Sequence, residues 1–259
     1  MTRAKGRAPP ARRRAEDRDR DDRPARAVRR LAAAGVEAVA LAMVDNAGVT
    51  RVKCIPLRRL EEVARFGVGL SYVFSVFLVN DEITSSPGIE GPSGDMRLVP
   101  DPEATVALAA SPGWALAPVD QFDQEGEVWP ACGRTFAKKM LDELTSRGIE
   151  LRGAFETEFF LGRRAPDAGT GPGEEHGPIP AHRGPGYSAP VLSDVEALAG
   201  RLMGALEAQG TGIMQFHPEY STGQFEVSVP HVSGLAVADT NLVVRHTIRA
   251  VARAEGLDV

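Results

Sequence analysis

The chain has 259 residues, 43% of them apolar and 25% charged, a globular composition long enough for one large domain or two ordinary ones. Its net charge of −5 hides an asymmetry, since residues 1–30 carry 12 Lys/Arg against 5 Asp/Glu and the remainder carries 18 against 30. An acidic body argues against nucleic acid as the main partner, and no apolar run approaches the roughly 18 residues of a membrane span.

Residues 1–23, rich in Arg, Ala, Pro and Asp without periodic apolar positions, read as a disordered basic tail. It lacks the apolar segment of a secretory signal, so it is either a polyanion-binding arm or a solvated leader, and its interspersed Asp and Glu favour the leader. A short helix is expected from Pro24 to Ala34, opened by the proline and closed near Gly35. Ala38–Val44 and Val49–Ile55 alternate as strands around the Asp45-Asn46-Ala47-Gly48 turn, which predicts a hairpin. Leu57–Phe66 is amphipathic and helical, while Tyr72–Val79, β-branched and aromatic, is expected as a strand. A Ser/Pro/Gly-rich loop covers 82–94, and short strands follow at Met96–Val99 and Thr105–Ala109. This mixture predicts a compact α+β domain over 24–118.

A second domain, α/β in pattern, is expected over 119–259. Arg134–Arg147 is a helix closed by Gly148, and Glu150–Leu161 a strand. The Gly/Pro-rich stretch 162–185 reads as a flexible loop. Leu192–Gln209 is a helix, Gly212–Phe216 and Phe225–Val229 are strands, and Asp239–Glu255 is a final helix with Leu242, Val243, Ile248, Val251 and Ala252 on its apolar face. Cys54 and Cys132 give no disulfide framework and fit no zinc spacing, which points to a reducing cytoplasm.

The chemistry concentrates in two stretches. In FETEFFL (155–161), strand alternation puts Glu156 and Glu158 on one face, their Cβ atoms roughly 6–7 Å apart, a costly arrangement unless a cation or proton lies between them. Alone, the pair also fits a solvent-exposed sheet face. GIMQFHPEYSTGQFEVSV (212–229) supplies a second acidic pair, Glu219 and Glu226, around a Ser-Thr-Gly turn, and four carboxylates on short strands suit hard divalent cations. Such cations bind nucleotide phosphates and neutralise charge in phosphoryl transfer. Gln224, on the face of Glu226, would orient a carboxylate or a bound water. His217 is placed to contact a substrate or a metal, or is simply a hydrogen-bonded residue. Tyr220 and Phe225 would flank a purine or, for Phe225, pack in a core. With neither a Walker A sequence nor a G-x-G-x-x-G, a nucleotide would need a less common cradle.

FETEFFL followed by HPEYSTGQFEVSV resembles the glutamine synthetase superfamily. So do VDNAGVTRVKCIPLRRL, GDMRLVPDP (94–102), GPGYS (184–188) and ADTNLVVRHTIRAVA (238–252), in the family's order. The resemblance covers 27–259 and is nearest to actinobacterial-type glutamine-synthetase-like ligases. It implies a β-grasp domain followed by a catalytic domain, and a ring homo-oligomer or an assembly with related subunits. It implies a ligase that uses ATP and Mg²⁺ or Mn²⁺ to join ammonia or an amine to the γ-carboxylate of glutamate through an acyl phosphate. Glu158, Glu219 and Glu226 would ligate the metal nearer glutamate, Glu156 the metal bridging the ATP phosphates, and His217 would lie near the substrate. No catalytic acid or base is assignable. Where family members carry a glutamate five residues before Glu219, this chain has Met214. The ammonium-site acid falls near Ser75 and Asp81. The chain stops before the family's later histidine and arginines, so the catalytic domain is expected to be incomplete, and the alternative is a catalytically silent homologue that binds metal or joins full-length subunits.

Overall fold

The structure, a computed structural model, describes residues 15–89, 91, 92, 94–163 and 179–259. Helix α1 (Ala15–Ala33) leads into β1 (Ala38–Val44) and β2 (Thr50–Pro56), paired antiparallel in register from Ala38↔Pro56 to Val44↔Thr50. A 3₁₀ turn (Leu57–Arg59), α2 (Leu60–Phe66) and β3 (Val68–Ser71) follow, then a second 3₁₀ segment (Tyr72–Val76), β4 (Asp95–Pro100), β5 (Val106–Ala107) and β6 (Trp114–Phe122). The sheet order is β2-β1-β6-β4-β3, with β5 also on β6 and β1 parallel to β6. A hairpin beside a central parallel strand, with a helix across the sheet, is the expected β-grasp. Its core joins Leu31 of α1, Val39 and Leu41 of β1, Leu60 and Val63 of α2, and Met96 and Leu98 of β4, all at 1% exposure or less.

Several expectations need correction here. The tail expected over 1–23 is helical from Ala15, and Pro24, expected to open a helix, lies inside one. Proline removes a single intrahelical hydrogen bond, and the turn after it is anchored by buried Ala27 and Leu31 and by Arg30, whose Nη2 donates to the Thr105 carbonyl at 2.8 Å. Residues 1–14 lie outside the described residues. Tyr72–Val76 is a 3₁₀ turn instead of a strand. The Ser71 hydroxyl accepts from the Val73 N–H, Tyr72 stacks on Trp129 at 4.4 Å, and Phe74 and Phe77 flank the Arg51 guanidinium. These aromatic residues serve packing, where their composition suggested pairing. Strand β6 runs straight through Pro118, the expected end of the first domain. Pro118 is tolerated because it closes the β1 ladder just before β4 takes over at Val119, and its carbonyl accepts from Asp101 N–H at 2.9 Å.

The second half contains α3 (Gly133–Ser146), β7 (Arg152–Gly153), β8 (Glu156–Phe160), β9 (Gly162–Arg163), β10 (Ile179–Pro180), α4 (Ala189–Ala208), β11 (Gln215–Pro218), β12 (Gln224–Ser228), β13 (Val232–Ser233) and α5 (Ala236–Ala254). The strand expected over 150–161 is broken into β7 and β8. Of the loop expected over 162–185, residues 164–178 lie outside the described residues, and its ends pair as β9 with β10. The three-stranded sheet β11-β12-β8 is antiparallel throughout. One face, with Phe159, Phe225 and Val227, packs on Val195, Leu198 and Leu202 of α4 and Val244, Ile248 and Val251 of α5. Each such fully buried side chain contributes about 2 kcal/mol. No helix among the described residues is long and apolar enough to cross a membrane.

An apolar cluster and a charged one are among the contacts that join the two halves. Ala42, Leu108 and Leu116 of the first half pack on Leu242 and Val243 of α5. Beside them the Arg134 guanidinium of α3 reaches Asp120 (2.7 Å), Asp101 (2.8 Å) and Asp239 of α5 (2.8 Å), and Lys138 also pairs with Asp120. Burial alone would raise the Asp101 carboxyl pKa, but the hydrogen bond and charge of Arg134 outweigh it and hold that carboxyl below its ordinary value. A depressed carboxylate gives stability above its unfolded pKa, about 3.9, and loses it as pH falls through the folded value. Arg134→Gln should therefore lower the urea-unfolding free energy at pH 7 by about 3 kcal/mol. The loss of stability on acidification below about pH 4 should be shallower in the variant than in the parent chain.

Candidate metal centre

The period of two and the register of the strands build the site. On β8, Glu156 and Glu158 point away from the core face that carries Phe159. Glu158 pairs directly with Glu226 of β12, and Glu226 with His217 of β11, so these three side chains form one row across the sheet. The next row pairs Glu156 with Ser228 and Gln215. Directly opposed Cβ atoms lie about 4.5–5.5 Å apart, so the row brings two carboxylates and an imidazole together.

Glu219 joins them from the turn between β11 and β12. Its N–H donates to the Gln224 carbonyl at 2.9 Å, and the Ser221 N–H donates to Gln224 Oε1 at 3.0 Å. Gly223, at φ 75°, closes the turn where a Cβ would lie 2.8 Å from the Leu161 carbonyl oxygen, so only glycine fits. Its N–H donates to Nε2 of buried His182 at 3.1 Å.

A neighbouring segment covers Glu219. A Cβ on Gly186 would sit 2.8 Å from the Glu219 carbonyl oxygen, and the glycine allows that approach. Tyr187, at φ 57°, turns its ring onto His217 (centroids 4.8 Å, 22° between planes), and its hydroxyl donates to Glu219 Oε1 at 2.5 Å. The hydrogen bond to Glu219 holds the Tyr187 phenol up to about 12, so it remains a donor. Sequence reasoning gave Tyr187 no role; the GPGYS motif that contains it was the available signal.

His217, Glu219 and Glu226 offer ligand atoms all within 4.8 Å of one another. Both glutamates are buried, at 6% and 9% exposure. His217 Nδ1 is 3.3 Å from Glu219 Oε1 and its Nε2 3.5 Å from Glu226 Oε1. The Nδ1 contact is poorly directed, and that buried nitrogen has no hydrogen-bond partner. Ser228 Oγ donates to Glu226 Oε1 at 3.1 Å. Among the described residues no lysine or arginine pairs with Glu219 or Glu226. Two buried carboxylates without a cationic neighbour, beside an unpartnered nitrogen, form a donor set suited to a divalent cation.

The remaining expected residues lie at the edge. Glu158 is exposed and accepts from Gln224 Nε2 at 2.6 Å. Glu156 is exposed one row away and outside the cluster. Met214 is 66% exposed, its N–H donating to the Ser228 carbonyl. Ser75 and Asp81 are engaged within the first half. Ser75 Oγ accepts from the Trp129 indole at 2.9 Å, and Asp81 pairs with Arg51 at 2.5 Å.

Residues 24–127 match the model of the glutamine synthetase N-terminal domain, and residues 130–259 that of the glutamine synthetase catalytic domain. A gamma-glutamylpolyamine synthetase of Streptomyces coelicolor is 46% identical over 230 residues, which are 88% of this chain and 48% of that protein. A gamma-glutamylanilide synthase of Acinetobacter is 25% identical over 249 residues, covering 86% of this chain and 49% of that protein. The crystal structure of a glutamine synthase homologue superposes with a TM-score of 0.73 at 32% identity, over 86% of this chain and 50% of the other. The chain spans about half the length of these relatives. With both domain models matched in order over most of its length, the chain belongs to the glutamine synthetase family of ligases.

Proposed function

We propose that this chain carries the metal-binding face of an ATP- and Mg²⁺- or Mn²⁺-dependent ligase that joins an amine to the γ-carboxylate of glutamate. The observation that carries this reading is the row Glu158–Glu226–His217 with Glu219 beside it. A divalent cation bound there would supply positive charge against the substrate carboxylate and the transferring phosphoryl group. Glu219 and Glu226 would hold it, with Glu158 reaching in from the facing strand, and Glu156 would serve a second ion on the nucleotide side.

The chain's own residues do the positioning. Gln224 fixes the Glu158 carboxylate by its amide N–H, and Ser228 fixes Glu226. Tyr187 orients Glu219 and stacks on His217, which leaves the imidazole edge for the substrate. In the reaction, a γ-carboxylate oxygen would displace ADP from the γ-phosphorus of ATP. The amine nitrogen would then attack the acyl carbon, release phosphate and lose a proton. The active unit would be an oligomer of this chain or an assembly with related subunits.

A polyamine is the amine we favour over ammonia. The gamma-glutamylpolyamine synthetase is 46% identical, against 29% for a glutamine synthetase of Methanocaldococcus jannaschii. The excess of acidic residues beyond residue 30 also attracts a polycation.

Three measurements check this. In Mn²⁺ titrations followed by paramagnetic resonance, Glu219→Gln or Glu226→Gln should weaken binding at least about tenfold, and Glu156→Gln much less. Without metal, Glu226→Gln should raise the melting temperature, because it removes one of two adjacent buried charges. The activity test is phosphate release from ATP with glutamate and spermine, putrescine or ammonium, beside Glu158→Ala. Release that needs glutamate and amine and is lost in the variant is the expected result. Metal binding without release would instead identify a silent, metal-binding homologue.

A further inference from the structure

Away from the carboxylate row, a cavity of about 740 Å³ opens at the seam between the N-terminal sheet and α5. Its walls are apolar, with Val52, Trp114 and Leu116 from the sheet and Leu242 from the helix. Its rim on α5 is cationic. Arg245 and Arg249, one helical turn apart, both line it, and no carboxylate does. Like charges at that spacing repel. Arg51 and Arg134, by contrast, each engage two or more aspartates. Among the described residues neither Arg245 nor Arg249 has an acidic partner, and the contact between them is Arg249 Nη1 donating to the Arg245 carbonyl at 3.4 Å.

Solvation accounts for Arg249, which is exposed, but not for an apolar hollow beneath two unpaired guanidinium groups. Burial, then the Arg249 charge, keeps the His246 imidazole below its ordinary value, so it is neutral near pH 7. Its Nε2 lies 3.2 Å from Ser111 Oγ, which leaves a neutral hydrogen-bonding pair in the lining. The volume is within the roughly 300–1,000 Å³ usual for small-molecule sites, where apolar walls bind the body and a few polar groups orient it.

We infer that this cavity is a second ligand site for a small organic anion, with its carboxylate, sulfonate or phosphate head between Arg245 and Arg249 and a flat apolar body against Trp114 and Val52. Such a ligand would supply the anion that the α5 rim lacks and cover apolar surface of both halves.

The probe is 8-anilinonaphthalene-1-sulfonate, titrated calorimetrically into the full 259-residue chain. One dye should bind per chain, and Arg245→Gln/Arg249→Gln should weaken it about tenfold, as expected for lost charge-assisted hydrogen bonds. Arg58→Gln, an exposed arginine elsewhere, should leave the affinity unchanged. N-phenyl-1-naphthylamine, the same ring system without the sulfonate, should bind the parent chain no more tightly than the sulfonate binds the double variant. Arg249→Gln alone decides the matter if the double variant misfolds, and should weaken binding about threefold with an unchanged circular dichroism spectrum. Absence of saturable binding overturns the inference. So does equal affinity in the arginine variants, or equal affinity of the uncharged dye.

Discussion

Arg134 stands where carboxylates from three separate stretches converge: Asp101 after β4, Asp120 within β6 and Asp239 at the start of α5. The planar guanidinium offers five donors in fixed directions, so it sets angles as well as distances, which a lysine could not do. Once α3 and α5 are fixed to the β-grasp sheet, Leu242 and Val243 fall onto Leu116 and Leu108, and the seam closes. Everything beyond depends on α5. Its opposite side carries Val244, Ile248 and Val251, against which the three-stranded sheet lays its apolar face.

That sheet balances two opposed requirements. One face buries Phe159, Phe225 and Val227, and the other gathers Glu158, Glu226 and His217 in a single row. Gathering carboxylates costs stability, and the cost is met by the packing on the opposite face. The same period of two that points Phe225 and Val227 inward points Gln224 and Glu226 outward. A one-residue slip would exchange them. The site is thus a consequence of register, and register is set by the β11–β12 turn, where Gly223 meets the Leu161 carbonyl too closely for any side chain.

Alternation along FETEFFL and QFEVS made the carboxylate face legible from sequence, and hydrophobic periodicity made α3, α4 and α5 legible. The β1–β2 hairpin followed from its turn residues. What escaped depends on contacts distant in sequence. Tyr187 reaches Glu219 only because the chain folds back at Gly186 and takes a left-handed conformation that local propensity disfavours for tyrosine. Strand β6 was hidden by Pro118, whose tolerance depends on two ladders changing over at that point. Tyr72–Val76 has strand composition but is drawn into a 3₁₀ turn by Trp129 and Arg51, both far along the chain.

Helix α5 shows why a single apolar face was too simple a reading. Leu242 and Val243 face the seam, while Val244, Ile248 and Val251 face the sheet, so the helix buries two sides. The first turn gives Asp239 to Arg134, and the next gives Asn241, whose Oδ1 accepts from Thr157 Oγ1 at 3.3 Å. Thr157 lies between Glu156 and Glu158 on β8. One rigid helix therefore joins the charged hub, the back of the carboxylate-bearing strand and the arginines at the cavity. A rotation of α5 large enough to move Arg245 would also strain the Asn241–Thr157 contact and the Asp239–Arg134 pair. The cavity's arginines and the helix's contact with the carboxylate-bearing strand thus lie within about two turns of one another on α5.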